Sequence, residues 1–240
     1  MKTLFLITAR GQSKGVPRKN LRKIGGTSLI GFKAISAKKS KYCTRLILSS
    51  EDAEIQADGL SYGAEVPFTR PNDLATDTAS SADVVRHAMD WIEKNTDEVY
   101  DAVMLLEPSA PFARSIDFDN AVELMIERDA SAVIGVREME VNSMFVGELD
   151  EACRMRQIID QMQKKHLRRQ DMSPEYTMNA ALYLFKWSLF KEHKSVYVDR
   201  DKTYGYVMDR YHSVEIDEPI DLHWAEFLVD KGYVDMSYWR

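Results

Sequence analysis

Four stretches of this chain carry polar residues at the ends of apolar runs, and their residue types suit phosphate chemistry. The first runs from Thr8 to Asn20 and follows Leu4–Ile7, which reads as a buried first strand. Gly11 and Gly15 free the backbone to curl, so amide N–H groups can face an anion. Arg10, Lys14, Arg18 and Lys19 add four cations to the same loop. Ligands of open α/β sheets bind at the carboxyl ends of strands, so a basic loop there suits a polyphosphate. The loop lacks both the G-x-x-x-x-G-K-S/T pattern of a P-loop and the G-x-G-x-x-G of a dinucleotide site. A basic run alone also fits a solvated loop; its place after the first strand favours a ligand.

The second stretch, Arg70–Ser81, starts with a turn at Pro71 and offers Asp77 or Thr78 as the cap of a following helix. The third, Leu106–Pro111, ends an apolar strand with two prolines that stiffen the loop. The fourth, Val214–Asp221, alternates apolar and acidic residues, so in extended chain Glu215 and Asp217 point to one face. Two such carboxylates suit Mg²⁺, which binds through one or two carboxylates plus substrate phosphates. Helix capping by Asp217 is the simpler reading and does not exclude the metal. The combined chemistry is transfer from a nucleoside triphosphate, driven by positioning and charge neutralisation.

The elements that must hold these stretches alternate. Strands are expected at Leu4–Thr8, Arg45–Ser49, Glu65–Phe68, Ala102–Leu106 and Ala132–Val136, with helices near Ser28–Lys39, Ala53–Tyr62, Ser80–Lys94 and Ile116–Arg128. Val84, Val85, Ala88, Trp91 and Ile92 recur at helical spacing and read as core. Such alternation implies right-handed crossovers and a mostly parallel sheet. Met139–Pro174 is charged and Met-rich without a clear period, an excursion from the sheet. Strands resume at Asn179–Lys186, Tyr204–Met208 and Ser213–Ile216, and a helix from Pro219 to Lys231 closes the chain, with Asp217 or Glu218 near its cap and Gly232 beyond its end.

With 240 residues the chain fits one domain with a small appendage. A net charge of −6 makes a general nucleic-acid surface implausible and leaves the basic loop as a local cluster for a small anion. No apolar run reaches the roughly 20 residues a bilayer span needs. Cys43 and Cys153 form neither a metal spacing nor a disulfide framework, and no signal-peptide pattern opens the chain, so a cytoplasmic enzyme is expected. The histidines His87, His166, His193, His212 and His223 have no spacing that makes a zinc site.

These residues resemble the acylneuraminate cytidylyltransferases, the CMP-sialic acid synthetases and their relatives for other nonulosonic acids. The likeness rests on Ala9-Arg10, Ser13–Gly15, Pro17, Lys19-Asn20, Ser49–Asp52, Gly63–Val66, Arg70-Pro71, Asp77–Ser80, Arg169-Gln170, Asn179–Tyr183 and Ile216-Asp217, in order along nearly the whole chain. The resemblance implies an α/β, Rossmann-like nucleotidyltransferase fold with a mostly parallel sheet. It divides the chain into a nucleotidyltransferase domain of 1–138 and 176–240 and a dimerisation arm of 139–175 inserted in it, so a homodimer is expected. It implies that the anomeric hydroxyl of an acidic sugar attacks the α-phosphate of CTP, with Mg²⁺ as cofactor. Carried over by residue, Arg10, Lys14 and Asp217 would be catalytic. Arg10, Gly11, Ser13, Lys14, Asn20, Arg70, Ala79 and Ser81 would bind the nucleotide. Glu107, Ser109, Arg169, Gln170 and Asn179 would meet the acceptor, and Asp217 and Glu215 would hold the metal.

The departures from the family pattern fall mostly on the acceptor side. Glu107 stands where the family usually has Gln, Ser109-Ala110 replaces Thr-Ser, and the following arginine is displaced to Arg114. Thr177–Ala180 replaces Arg-x-Asn-Gly, and Phe145 stands near a usual lysine. A carboxylate at Glu107 repels an acidic sugar unless it is paired or protonated. The expected acceptor is therefore one other than ordinary N-acetylneuraminate. Two alternatives stay open: the same fold using GTP or UTP, and a nucleotide-binding protein without turnover.

Overall fold

The computed structural model describes residues 1–13, 15–164 and 172–240. Its six-stranded sheet has the order β4-β1-β5-β7-β6-β8, formed by β1 (Thr3–Thr8), β4 (Cys43–Ser49), β5 (Ala102–Leu106), β6 (Ala132–Glu138), β7 (Tyr176–Lys186) and β8 (Thr203–Val207). Strands β2 (Lys23–Ile24) and β3 (Thr27–Ser28) form a separate small hairpin. β1 pairs in parallel with β4 and β5, and β6 with β8, while β7 runs antiparallel between β5 and β6. The expected mostly parallel α/β sheet is the one observed.

Both faces of the sheet are covered, which is why its strands read as continuous apolar runs. Phe5 and Ile7 of β1 pack with α1 (Leu29–Lys39), α2 (Ala53–Ser61) and α4 (Ser115–Arg128) through Ile30, Ile55 and Phe118. Leu4 and Leu6 turn the other way, against Val85, Ala88 and Ile92 of α3 (Ser81–Asn95) and Phe190 of α6 (Trp187–His193). A third cluster joins Val16, Phe32, Phe112, Ile216 and Trp239 to Ala225 and Leu228 of α7 (Pro219–Asp230). The chain leaves β1 through α1 to β4 on one side of β1, and returns through α3 to β5 on its other side. The crevice at the carboxyl ends of β1 and β5 lies at this reversal.

Four local expectations are corrected. Glu65–Phe68 makes a single parallel bridge, Glu65 to Ile47, and no strand; Pro67 has no N–H with which to continue the ladder. Ser213–Ile216 is no strand: Ser213 ends a turn, and Ile216 N–H donates at 2.7 Å to the Ser109 carbonyl in the loop after β5 and not to the sheet. Ser80, not Asp77 or Thr78, caps α3, accepting from the Asp83 N–H. Of the two caps expected for α7, Glu218 is the one observed, and the Asp221 carboxylate accepts from the N–H groups of Asp217 and Glu218. Inside 139–174 lies a helix, α5 (Arg156–Lys164). Met155, Ile158, Ile159 and Met162 give it an i, i+3, i+4, i+7 stripe that its charged flanks obscure.

β7 also starts earlier than expected and carries a bulge against β6. Pairing passes from Ile134↔Tyr183 to Val136↔Met178, with Ala180 in the left-handed region at φ 51°. Asn179 Oδ1 accepts from Ala181 N–H at 3.1 Å, and Lys33 Nζ donates to the Ala181 carbonyl at 2.7 Å. Two side chains thus satisfy backbone groups that the bulge withdraws from the ladder. Gly135 lets this happen, since a Cβ there would stand 2.6 Å from Asn179 Oδ1.

Candidate active site

The carboxyl ends of β1 and β5 open into a cavity of about 580 Å³. Arg10, Ser13, Asn20, Arg70, Ala79, Ser81, Glu107, Ser109 and Asp217 all line it, together with Lys19 and Asp77. Gly11 and Glu215 adjoin this wall in sequence without lining it. Asn179 is 1% exposed and held by Ala181 and the Met208 sulfur, so it supports the bulge and does not face the cavity. Lys14, Arg169 and Gln170 lie outside the described residues. A larger cavity of about 1110 Å³, between Arg137–Asn142, Ser173–Glu175 and Val207–Arg210, holds none of these residues.

The loop after β1 is held from three sides. Asn20 Nδ2 donates to the Arg10 carbonyl at 2.9 Å, closing the loop on itself. Arg18 pairs with Asp52 at 2.6 Å and with Glu54 at 2.7 Å, at the start of α2. Lys19 Nζ donates to the Ile216 carbonyl at 2.8 Å and to Asp217 Oδ1 at 2.9 Å. Of the cations expected to face a ligand, Arg18 and Lys19 are therefore partly committed to building the loop. Arg10 pairs with Asp77 at 2.6 Å, joining the β1 loop to the segment before α3.

Arg70 is 4% exposed. It donates to the Ala9 carbonyl at 2.5 Å and to Glu51 Oε2 at 2.8 Å. The other oxygen of Glu51 accepts the Gly11 N–H at 2.7 Å. Glu51 thus fixes both the glycine loop and the buried guanidinium, a role the sequence reading missed. Its signal was present in the polar segment Ser49–Asp52 at the end of β4.

The wall of the cavity beside Glu107 and Asp217 is acidic. Burial and the neighbouring Glu215 push the Glu107 carboxyl above the usual range, against the pull of Lys33 and Lys19. Glu215 is likewise raised, by burial and by Asp217. Arg114 is the N-cap residue of α4, 3.7 Å from Asp117 and 3.5 Å from Asp209, and does not line the cavity. Among the described residues no group of three or more His, Cys, Asp or Glu gathers in a metal-binding arrangement. A pair of mutually repelling carboxylates, Glu215 and Asp217, is what remains to receive a cation that a ligand's phosphates would also hold.

The profile of a family described as cytidylyltransferase matches residues 4–231. The chain is 33% identical over 227 residues to a CMP-N,N'-diacetyllegionaminic acid synthase of Campylobacter jejuni, covering 94% of each. It is 32% identical over 235 residues to a pseudaminic acid cytidylyltransferase of the same species, covering 95% of this chain and 96% of that one. A solved structure of a CMP:2-keto-3-deoxy-manno-octonic acid synthetase complexed with CTP superposes with a TM-score of 0.70 at 14% identity. It covers 97% of this chain and 100% of that one, a likeness of fold.

Proposed function

The chain belongs to the cytidylyltransferase family, and on that premise we propose that it transfers CMP from CTP to an acidic, nonulosonic-type sugar. The anomeric oxygen of the sugar attacks the α-phosphorus, forming the new O–P bond. The bond from that phosphorus to the bridging oxygen breaks, pyrophosphate leaves, and the sugar hydroxyl gives up its proton. The observation that carries this reading is the convergence of Arg10, Ser13, Arg70 and Ser81 with Glu107 and Asp217 on one cavity.

Arg10 and the backbone N–H groups of the loop after β1 neutralise charge on the triphosphate. Arg70, Ala79 and Ser81 line the nucleoside side, and Glu107 and Ser109 the acceptor side. Lys14, Arg169 and Gln170 are assigned to the phosphates and the acceptor by resemblance alone. Asp217 and Glu215 are the residues that would hold Mg²⁺. Bound there, the ion would supply Lewis-acid stabilisation to the reacting phosphate and the leaving pyrophosphate. Lys19, now on Asp217 at 2.9 Å, occupies the counter-charge position in the structure described.

The acceptor side favours a sugar other than N-acetylneuraminate, because it presents the Glu107 carboxyl and turns Arg114 away. The relatives named for legionaminic and pseudaminic acids support that choice. Residues 139–175 are assigned as the contact with a second copy. Exposed Phe145, Val146, Met155, Ile159 and Met162 support the assignment, and sedimentation velocity at several concentrations tests it. No helix of the described residues is long and apolar enough to cross a membrane. Use of CTP fits a cytoplasmic location.

The test is pyrophosphate release with Mg²⁺ over CTP, GTP, UTP and ATP, each against legionaminic-, pseudaminic- and sialic-type acids. CTP-specific release with one non-sialic acid is expected. Release with another nucleotide, or CTP binding with no release over the whole panel, overturns the reading.

A further inference from the structure

Three cations among the described residues line the candidate site, and each pairs with a carboxylate of its own chain: Arg10 with Asp77, Lys19 with Asp217 and Arg70 with Glu51. They are not equally committed. Arg70 is buried and also donates to the Ala9 carbonyl, and Lys19 also donates to the Ile216 carbonyl. Among the described residues Asp77 is the one partner of the Arg10 guanidinium, through Nη1 at 2.6 Å. The two side chains are 34% and 46% exposed. A guanidinium carries several N–H donors in a fixed fork, so Arg10 keeps donors to spare.

This pair also ties down a span of chain. The Arg70 N–H donates to the Ser50 carbonyl at 3.0 Å and pins the start of the segment before α3. Ser80, the cap of α3, pins its end. Between them, Asp77 apart, the hydrogen bonds among described residues stay inside the segment. Leu74 N–H donates to the Pro71 carbonyl, Ala79 N–H to the Thr76 carbonyl, and the Thr76 hydroxyl meets Asp73 and Thr78. Asp77 therefore joins the middle of this strap to the loop after β1. Leu74, Thr76, Asp77 and Ala79 line the cavity from the strap, and Arg10 and Ser13 from the loop.

An exposed ion pair biases an equilibrium by no more than about fivefold. A phosphate chain offers the same guanidinium two parallel charge-assisted bonds, which are stronger. A polyphosphate can therefore take Arg10 from Asp77 at small cost. We propose that the Arg10–Asp77 pair is an exchangeable latch, with Asp77 as a positioning residue that holds Arg10 in the empty site, yields it to a polyphosphate chain and takes it back as pyrophosphate leaves. Asp77 thus competes with the ligand for one cation and lowers the affinity for triphosphate and pyrophosphate alike, which favours release of the leaving product. A nucleoside monophosphate, with less charge to exchange, leaves the latch closed. The latch rests on the proposed function for its ligand.

The test is calorimetric titration of CTP, inorganic pyrophosphate and CMP, with Mg²⁺, into the full chain and its Asp77→Asn, Arg10→Met and double variants. Asp77→Asn is expected to tighten CTP and pyrophosphate about two- to fivefold, while CMP stays within about 1.5-fold and the melting temperature does not move. A pair that only supported the fold would weaken all three ligands when broken. In the Arg10→Met background, Asp77→Asn is expected to change CTP affinity by less than about 1.5-fold. Unchanged or weaker CTP binding in Asp77→Asn, equal tightening of CMP, or tightening that persists without Arg10 overturns the latch. If Arg10→Met binds CTP too weakly to titrate, the CMP comparison decides. If the unaltered chain binds CTP and turns over no sugar, the proposed function fails while the same titrations still decide the latch. Absence of CTP binding overturns both.

Discussion

Gly15 stands so close to the segment before α7 that a Cβ on it would lie 1.9 Å from the Asp217 carbonyl oxygen. The loop after β1 and the candidate metal carboxylate are therefore in backbone contact across the cavity, and Lys19 reinforces that contact through its side chain.

Gly15→Ala must push these two backbones apart, since neither offers a flexible side chain that can yield. Misplacement of about 1 Å near reacting groups costs on the order of 100-fold in rate. A fall of that order in kcat is expected, with melting little changed. A variant of unchanged kcat would show that the loop and Asp217 need not be in contact for turnover.

Arg70→Met leaves the half-buried Glu51 without its cation and removes the buried donor to the Ala9 carbonyl. Breaking a buried pair from one side costs about 3 kcal/mol or more. For a chain of this size that lowers the melting temperature by roughly 10 °C. Calorimetry checks the value, and CTP titration should show weaker binding as well, because Glu51 also holds the Gly11 N–H.

Asp217→Asn removes one of the two carboxylates assigned to Mg²⁺. Loss of a preorganised charge at a phosphoryl-transfer site costs about 100- to 1,000-fold in kcat. The Mg²⁺ concentration for half-maximal rate should rise at the same time. A variant with unaltered Mg²⁺ dependence would transfer the metal role away from Asp217.

The two free thiols should separate in reactivity. Burial pushes the Cys43 thiol up to about 12, and the thiolate is the reacting form. Cys153 is exposed. At pH 8, one thiol is expected to react quickly with an aromatic disulfide reagent, and Cys153→Ser should abolish that phase. Cys43 should react only as the chain unfolds.

Burial lowers the Lys33 pKa to about 7, opposed by Glu107, Asp117 and Glu215, whereas an unfolded lysine titrates near 10.5. Between these values the unfolded state binds more protons than the folded one. Stability contributed through this group therefore rises with pH from about 7 towards 10.5, and below about 7 that gain is absent. Denaturant unfolding across pH 7 to 10 should show the rise, and Lys33→Met should flatten it. An equal slope in both proteins would assign the pH dependence elsewhere.

The sheet was legible because its residues are apolar in unbroken runs, bounded by glycine, proline and acidic caps. β1, β4, β5 and β6 begin or end within a residue or two of their expected bounds. The false strand at Glu65–Phe68 has the right residue types but contains Pro67, whose missing N–H limits it to one bridge. Helix α5 was missed for the opposite reason, since its four-residue apolar stripe is buried in a charged background too short for a period to stand out.

The candidate site divides along a similar line. The composition of the loop after β1, the Arg70 segment, the Glu107 turn and the Asp217 segment determined by itself which chemistry was available, because phosphate and metal binding demand particular residue types. Which of those residues face one another was decided by the strand order and by a bulge. The bulge in β7 presents the Ala181 carbonyl to the buried Lys33 ammonium, and the left-handed Ala180 turned Asn179 into the sheet. Contacts between residues 148 positions apart, as Lys33 and Ala181 are, leave no local signature, because they depend on the path of the backbone between them.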